Sequence, residues 1–108
     1  NLQHDFFSDL RDKLAPHFSR VLQMHQGDVL KLFLAKYQTG AYMTSHDDVK
    51  SATVDGVLCD RVRGFVLFLN RQWDEDDGGL LLDEEDSDKA YTPSFNTLLH
   101  YRIPRWHS

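Results

Sequence analysis

In the stretch Tyr42-Met-Thr-Ser-His46-Asp47-Asp48, an imidazole and a carboxylate stand two positions apart. At the end of a strand, a period of two puts His46 and Asp48 on one face, where both can reach a single metal ion. A second imidazole near the far end, His107, completes a set of two histidines and one carboxylate. That set covers one face of an octahedral non-haem Fe(II) and leaves three positions open. One carboxylate with two neutral imidazoles also leaves net positive charge on the ion, which suits an anionic co-substrate. A His-x-Asp pair alone is weak, because a loop histidine beside an acid arises often by chance. The remaining histidines have plainer readings. His4, His17 and His25 fall at helical or helix-end positions among polar neighbours, and His100 falls on the outer face of a predicted strand.

The elements that must carry these residues change character near residue 28. Leu2, Phe6, Leu10, Leu14, Phe18 and Leu22 recur every fourth position and form one helical stripe. Pro16 interrupts the stripe, so two helical pieces are expected, the second starting near that proline. From Asp28 to Tyr37 the period is two, which predicts a strand, with another short one at Tyr42 and Met43. Residues 47–60 read as a polar loop with a hairpin signal at Asp55-Gly56. The run Gly64-Phe-Val-Leu-Phe-Leu-Asn70 predicts a strand buried on both faces. Gly78-Gly79 leads into a short strand at residues 80–82, and Thr97 to Ile103 alternates again. Such spacing predicts a mainly β chain with N-terminal helices, arranged as an antiparallel sandwich or jelly roll.

These motifs occur in a fixed order. Tyr37-x-x-Gly40-x-Tyr42-x-x-x-His46-x-Asp48 precedes Arg63-Gly-Phe-Val-Leu-Phe-Leu-Asn70-x-x-Trp73. Then come Gly78-Gly79-x-Leu81, Pro93-x-x-Asn96 and Trp106-His107. The pattern resembles the prolyl-hydroxylase branch of the Fe(II)- and 2-oxoglutarate-dependent dioxygenases. Within it, the likeness is closest to the ribosomal-protein prolyl hydroxylase group and its bacterial relatives. The resemblance implies a double-stranded β-helix, with His46, Asp48 and His107 as iron ligands and Asp47 as a non-ligand. It implies that Tyr42 helps hold the 2-oxoglutarate carboxylate. Asn70, Trp73, Gly78 and Gly79 match positions that shape a turn. It further implies a prolyl residue of a protein or peptide as substrate, release of succinate and CO₂, and ascorbate as an accompanying reductant.

One feature departs from the family pattern. The family anchors the distal carboxylate of 2-oxoglutarate with an Arg or Lys about ten residues beyond the second histidine, and this sequence ends at Ser108. Arg102 and Arg105 precede His107 and are not the matching positions. The opening NLQHDFFSDL has neither an initiator Met nor a basic-then-apolar leader. The expectation is a chain lacking the last strands of the fold, completed by further residues or by a second copy in a homodimer, with His107 poorly held near the terminus.

At 108 residues the chain is read as a single domain, 1–26 as helical support and 28–108 as jelly-roll core. Nine of its seventeen acids fall within residues 74–88, leaving the remainder mildly basic. The formal net charge of −5 argues against nucleic acid as a direct partner, and the acidic loops favour a basic one. A single cysteine, Cys59, excludes a disulfide framework and fits the reducing cytoplasm. No apolar run reaches the roughly 18 residues of a membrane span. Three other functions compete with this reading. Asp74-x-Asp76-x-Gly78-Gly79-x₅-Glu85 has some EF-hand spacing, but Gly78 occupies a ligand position and the preceding run reads as strand. A non-catalytic jelly-roll binding protein with a vacant or structural metal site is the main alternative. Zinc hydrolysis ranks last, since no His-Glu-x-x-His helix supplies a general base.

Overall fold

The fourfold apolar spacing of the N-terminal third winds Leu2–Val21 into one α-helix, α1, in the computed structural model, which describes residues 2–108 and side chains from Asp5 onward. The side chains of Leu2 and His4, assigned above to the stripe and the surface, lie outside the described residues. Pro16 sits inside α1 and does not divide it, contrary to the two-piece expectation. Pro16 lacks the N–H that would donate to the Asp12 carbonyl, and both residues are on the exposed side of the helix. The Ser19 hydroxyl donates to the Pro16 carbonyl at 3.1 Å.

α1 ends in a left-handed cap. Gln23 has φ +54°, its N–H donates to the Arg20 carbonyl at 3.3 Å, and the Met24 N–H donates to the Ser19 carbonyl at 2.8 Å. This is the Schellman pattern, with glutamine where glycine is usual. Leu22 and Leu30, the buried apolar residues, form the core of this first compact unit, residues 1–36 with 54–57.

Residues 28–37 and Tyr42–Met43 take no regular secondary structure, which corrects two predicted strands. Alternation reports that a segment suits a pleated surface; a strand also needs a neighbour to take its backbone hydrogen bonds. Leu30 is buried, whereas Leu34 is 68% exposed.

The second unit, residues 37–53 with 58–108, carries most of the β structure. β1, Ser51–Val54, and β2, Val57–Asp60, form a two-stranded sheet in the region expected to be loop. Their turn at Asp55 (φ +51°) and Gly56 (φ +79°) has the paired positive φ of a type I′ hairpin, as that dipeptide predicts. β3, Arg63–Phe68, pairs antiparallel with β6, Thr97–Arg102, in a register that sets Gly64 opposite Tyr101. β3 is half-buried rather than covered on both faces; only Gly64 in it is fully buried, because its sheet has two strands. β4, Leu81–Asp83, pairs with β5, Lys89–Tyr91. The protein is thus mainly β, with one N-terminal helix and small antiparallel sheets.

Between β3 and β4 the acidic segment makes a single 3₁₀ turn, Glu75–Asp77. The Asp74 carboxylate accepts the Asp76 N–H at 2.9 Å, and the Asp77 carboxylate accepts the Asp74 N–H at 3.0 Å. Those carboxylates cap the turn, and the element leading into it is a strand, so the EF-hand reading does not hold. The Trp73 indole donates to the Gly78 carbonyl at 2.6 Å, and Gly78 and Gly79 take the positive φ expected of them.

Residues 106–108 add a short extended segment between two others. His107 exchanges both backbone hydrogen bonds with His46, at 2.9 and 3.0 Å. On its other side, Leu82 and Ser108 exchange bonds at 2.9 and 3.1 Å, and the Glu84 N–H donates to the Trp106 carbonyl at 3.1 Å. His107 is therefore 6% exposed and firmly held, against the expectation of a frayed residue. Chain ends fray only when nothing ties them down.

The strained Gln23 cap generates a prediction. Gln23→Gly should stabilise the protein by about 0.5–1 kcal/mol, as relief of left-handed strain outweighs the added freedom of the unfolded chain. Urea unfolding monitored by circular dichroism measures it.

Candidate metal centre

The hydrogen bonds between His46 and His107 bring together two residues from opposite ends of the second unit. His46 follows the irregular segment 41–45 and His107 pairs with it through the backbone, with ring centroids 4.3 Å apart. Asp48 follows two positions on, and alternation turns its side chain to the same face. Its Oδ1 lies 3.5 Å from His46 Nε2 and 3.7 Å from His107 Nε2. Ligand atoms of the three residues all lie within 4.8 Å of one another. Asp47 faces elsewhere, its carboxylate accepting the Arg105 N–H at 3.0 Å.

Both imidazoles are oriented by backbone. His46 Nδ1 lies 2.7 Å from the Thr44 carbonyl, and His107 Nδ1 lies 2.7 Å from the Arg105 carbonyl. A carbonyl oxygen can only accept, so Nδ1 carries the hydrogen in each neutral ring and Nε2 keeps its lone pair. Two imidazole lone pairs and a carboxylate oxygen then converge at separations too long for hydrogen bonds. Such an arrangement is repulsive until a cation or a proton is shared among them. Backbone carbonyls on Nδ1 are the usual support of metal-bound histidines.

Asp48 is the hub. The Tyr101 hydroxyl donates to its Oδ2 at 2.7 Å, and an Arg61 guanidinium nitrogen lies 3.9 Å from the same atom. Arg61 also donates to the Val49 carbonyl at 3.0 Å. Burial of the Tyr101 phenol, and then its hydrogen bond to Asp48 and the charge of that carboxylate, push its pKa above the ordinary value of 10. Tyr101 therefore stays a donor throughout the neutral range. The alternation of Thr97 to Ile103 sets Tyr101 on one face with Leu99 and Ile103, and nothing in the sequence assigns it or Arg61 to the site. The signal present was Gly64, since a glycine inside a strand marks a close approach by another group.

A second charged contact braces the same segment. Arg105 Nε and a terminal nitrogen donate to the two Asp83 oxygens at 2.9 and 2.7 Å, a bidentate pair joining β4 to the residues before His107. Tyr42, by contrast, is 81% exposed and is not among the three grouped residues.

The family model of the 2OG-Fe(II) oxygenase superfamily matches residues 32–108, more than two thirds of the chain and all three grouped side chains. The chain belongs to that superfamily. Comparisons with curated proteins and with solved structures gave no match. Membership implies Fe(II) and 2-oxoglutarate, and the donor set suits the metal: two oriented imidazole lone pairs and one carboxylate oxygen. No described helix is long and apolar enough to cross a membrane.

The Asp83–Arg105 contact generates a pH prediction. The Arg105 guanidinium holds the Asp83 carboxyl below its ordinary value of 3.8, with the Glu85 N–H assisting. A depressed folded value contributes stability that is present above the ordinary carboxylate range and lost as pH falls through the folded value. Asp83→Asn should therefore lower the melting temperature at neutral pH and flatten its decline below about pH 4. Thermal melts of both proteins across that range give the comparison.

Proposed function

We propose that this protein hydroxylates a prolyl residue of a protein or peptide, using Fe(II) held by His46, Asp48 and His107 and 2-oxoglutarate as co-substrate. The carrying observation is the convergence of two backbone-oriented imidazole lone pairs and the Asp48 carboxylate within 4.8 Å. Bound there, iron would supply O₂ activation coupled to oxidative decarboxylation of 2-oxoglutarate to succinate and CO₂. The chain's own residues supply geometry. The Thr44 and Arg105 carbonyls fix the ring tautomers, and Asp48 provides the negative charge that offsets part of the ion's. A jelly-roll scaffold and a 2-oxoglutarate contact from Tyr42 complete the reading, on the strength of the ordered motifs from Tyr37 to His107; ascorbate is its auxiliary reductant.

Prolyl substrates are favoured by the likeness to prolyl hydroxylases. The acidic run from Asp74 to Asp88 belongs to the same unit as the site and favours a basic partner segment.

Anaerobic loading with Fe(II), then O₂ and 2-oxoglutarate, should yield succinate. His46→Ala and Asp48→Ala should each reduce that turnover by at least about a hundredfold, given that metal affinity depends on every ligand. Substantial residual turnover in either variant would sink the assignment. Mass spectrometry of basic, proline-containing peptides after turnover should show one added oxygen on proline. An oxygen on another residue would refute the substrate and leave the oxygenase reading standing.

A further inference from the structure

Both imidazoles face Asp48 Oδ1, while Tyr101 and Arg61 approach Oδ2, and of those two only Tyr101 is within hydrogen-bond distance. The β3–β6 register sets Gly64 opposite Tyr101, and Gly64 is buried. A Cβ added at Gly64 would lie 2.6 Å from Tyr101 Cζ and 2.7 Å from its Cε2 and hydroxyl oxygen. The phenol thus occupies the space that any other residue at position 64 would fill. A glycine inside a strand costs stability, and here the cost coincides with the seat of one aromatic ring. From that seat the ring reaches His107, centroid to centroid at 5.0 Å, and its hydroxyl donates to Asp48 Oδ2. Asp48 Oδ1 is left facing both Nε2 atoms.

An aspartate side chain turns freely enough to offer either oxygen, or both, to a metal ion. With Oδ2 engaged by a phenol, one oxygen remains as the ligand and its direction is set. Arg61 is the other group near Oδ2, but at 3.9 Å it is beyond hydrogen-bond distance, while it donates to the Val49 carbonyl at 3.0 Å.

We infer that Tyr101, seated on Gly64, is a positioning residue that selects the Asp48 oxygen offered to the metal and thereby sets metal affinity and coordination. This rests on the reading that His46, Asp48 and His107 hold the ion. Partners of this kind, touching a ligand but not the metal, are typically worth 10–100-fold in metal affinity.

Co(II), whose visible absorption reports coordination, serves as the probe, titrated anaerobically into the protein by calorimetry and absorption. The unaltered protein should bind one ion and Asp48→Ala should lose it. Tyr101→Phe, which keeps the ring and so the packing, should bind about tenfold more weakly, with a shifted absorption band. Gly64→Ala should weaken binding likewise by displacing the ring, and adding it to Tyr101→Phe should cause little further loss, because both act through one hydroxyl. Circular dichroism melts confirm folding; should Gly64→Ala fail to fold, Tyr101→Phe decides alone. Unchanged affinity and band in Tyr101→Phe, beside loss in Asp48→Ala, overturns the role of Tyr101 and leaves the metal centre intact. No binding by the unaltered protein, or full affinity in Asp48→Ala, overturns the metal centre and this inference together.

Discussion

Two backbone hydrogen bonds between His46 and His107 do more to define this molecule than any side-chain contact. They close the separation between a His-x-Asp pair early in the second unit and a lone histidine near residue 108. Everything else in the site is arranged around that closure. The Leu82–Ser108 and Glu84–Trp106 bonds hold the far side of the same segment, and the bidentate Asp83–Arg105 pair braces its approach. A histidine ligand on a loop would keep its own rotamer and backbone freedom, and ordering it would cost free energy at the moment of metal binding. Held between two neighbours, His107 has already lost that freedom on folding.

The electrostatics of the site follow from what the backbone offers each ring. The Thr44 and Arg105 carbonyls take the Nδ1 hydrogens and leave both Nε2 lone pairs directed at Asp48 Oδ1. Without a shared cation this concentrates electron density in one place, a local conflict of the kind folded proteins tolerate where they bind something. Tyr101 and Arg61 relieve part of it by drawing on Oδ2, the oxygen turned away from the imidazoles. The site therefore divides one carboxylate between two tasks, a fixed hydrogen bond on one oxygen and a free acceptor on the other.

Some sequence signals and the structure part company, for a common reason. Pro16 removes one hydrogen bond, yet α1 continues through it, with Asp12 and Pro16 both exposed. The alternating run from Asp28 to Tyr37 has the composition of a strand, but it is not assigned to any strand ladder. The GFVLFLN run lies in or beside a strand that is only half covered, since its sheet has two members. Local preference describes what a segment can do, and the neighbours decide whether it does so.

The residue order alone paired His46 with Asp48 as candidate ligands and determined the hairpin turn at Asp55-Gly56 and the mainly β character. Each depends on short-range geometry: a period of two aligns His46 with Asp48, and paired positive φ suits Asp-Gly. What only the tertiary structure decided is the meeting of that pair with His107 and the setting of the three side chains. That His107 is buried and clamped, that Thr44 and Arg105 fix the ring tautomers, and that Tyr101 crosses Gly64 to reach Asp48 all depend on strand register. Register is set by pairing between segments distant in sequence, and a shift of one residue would turn Tyr101 to the opposite face.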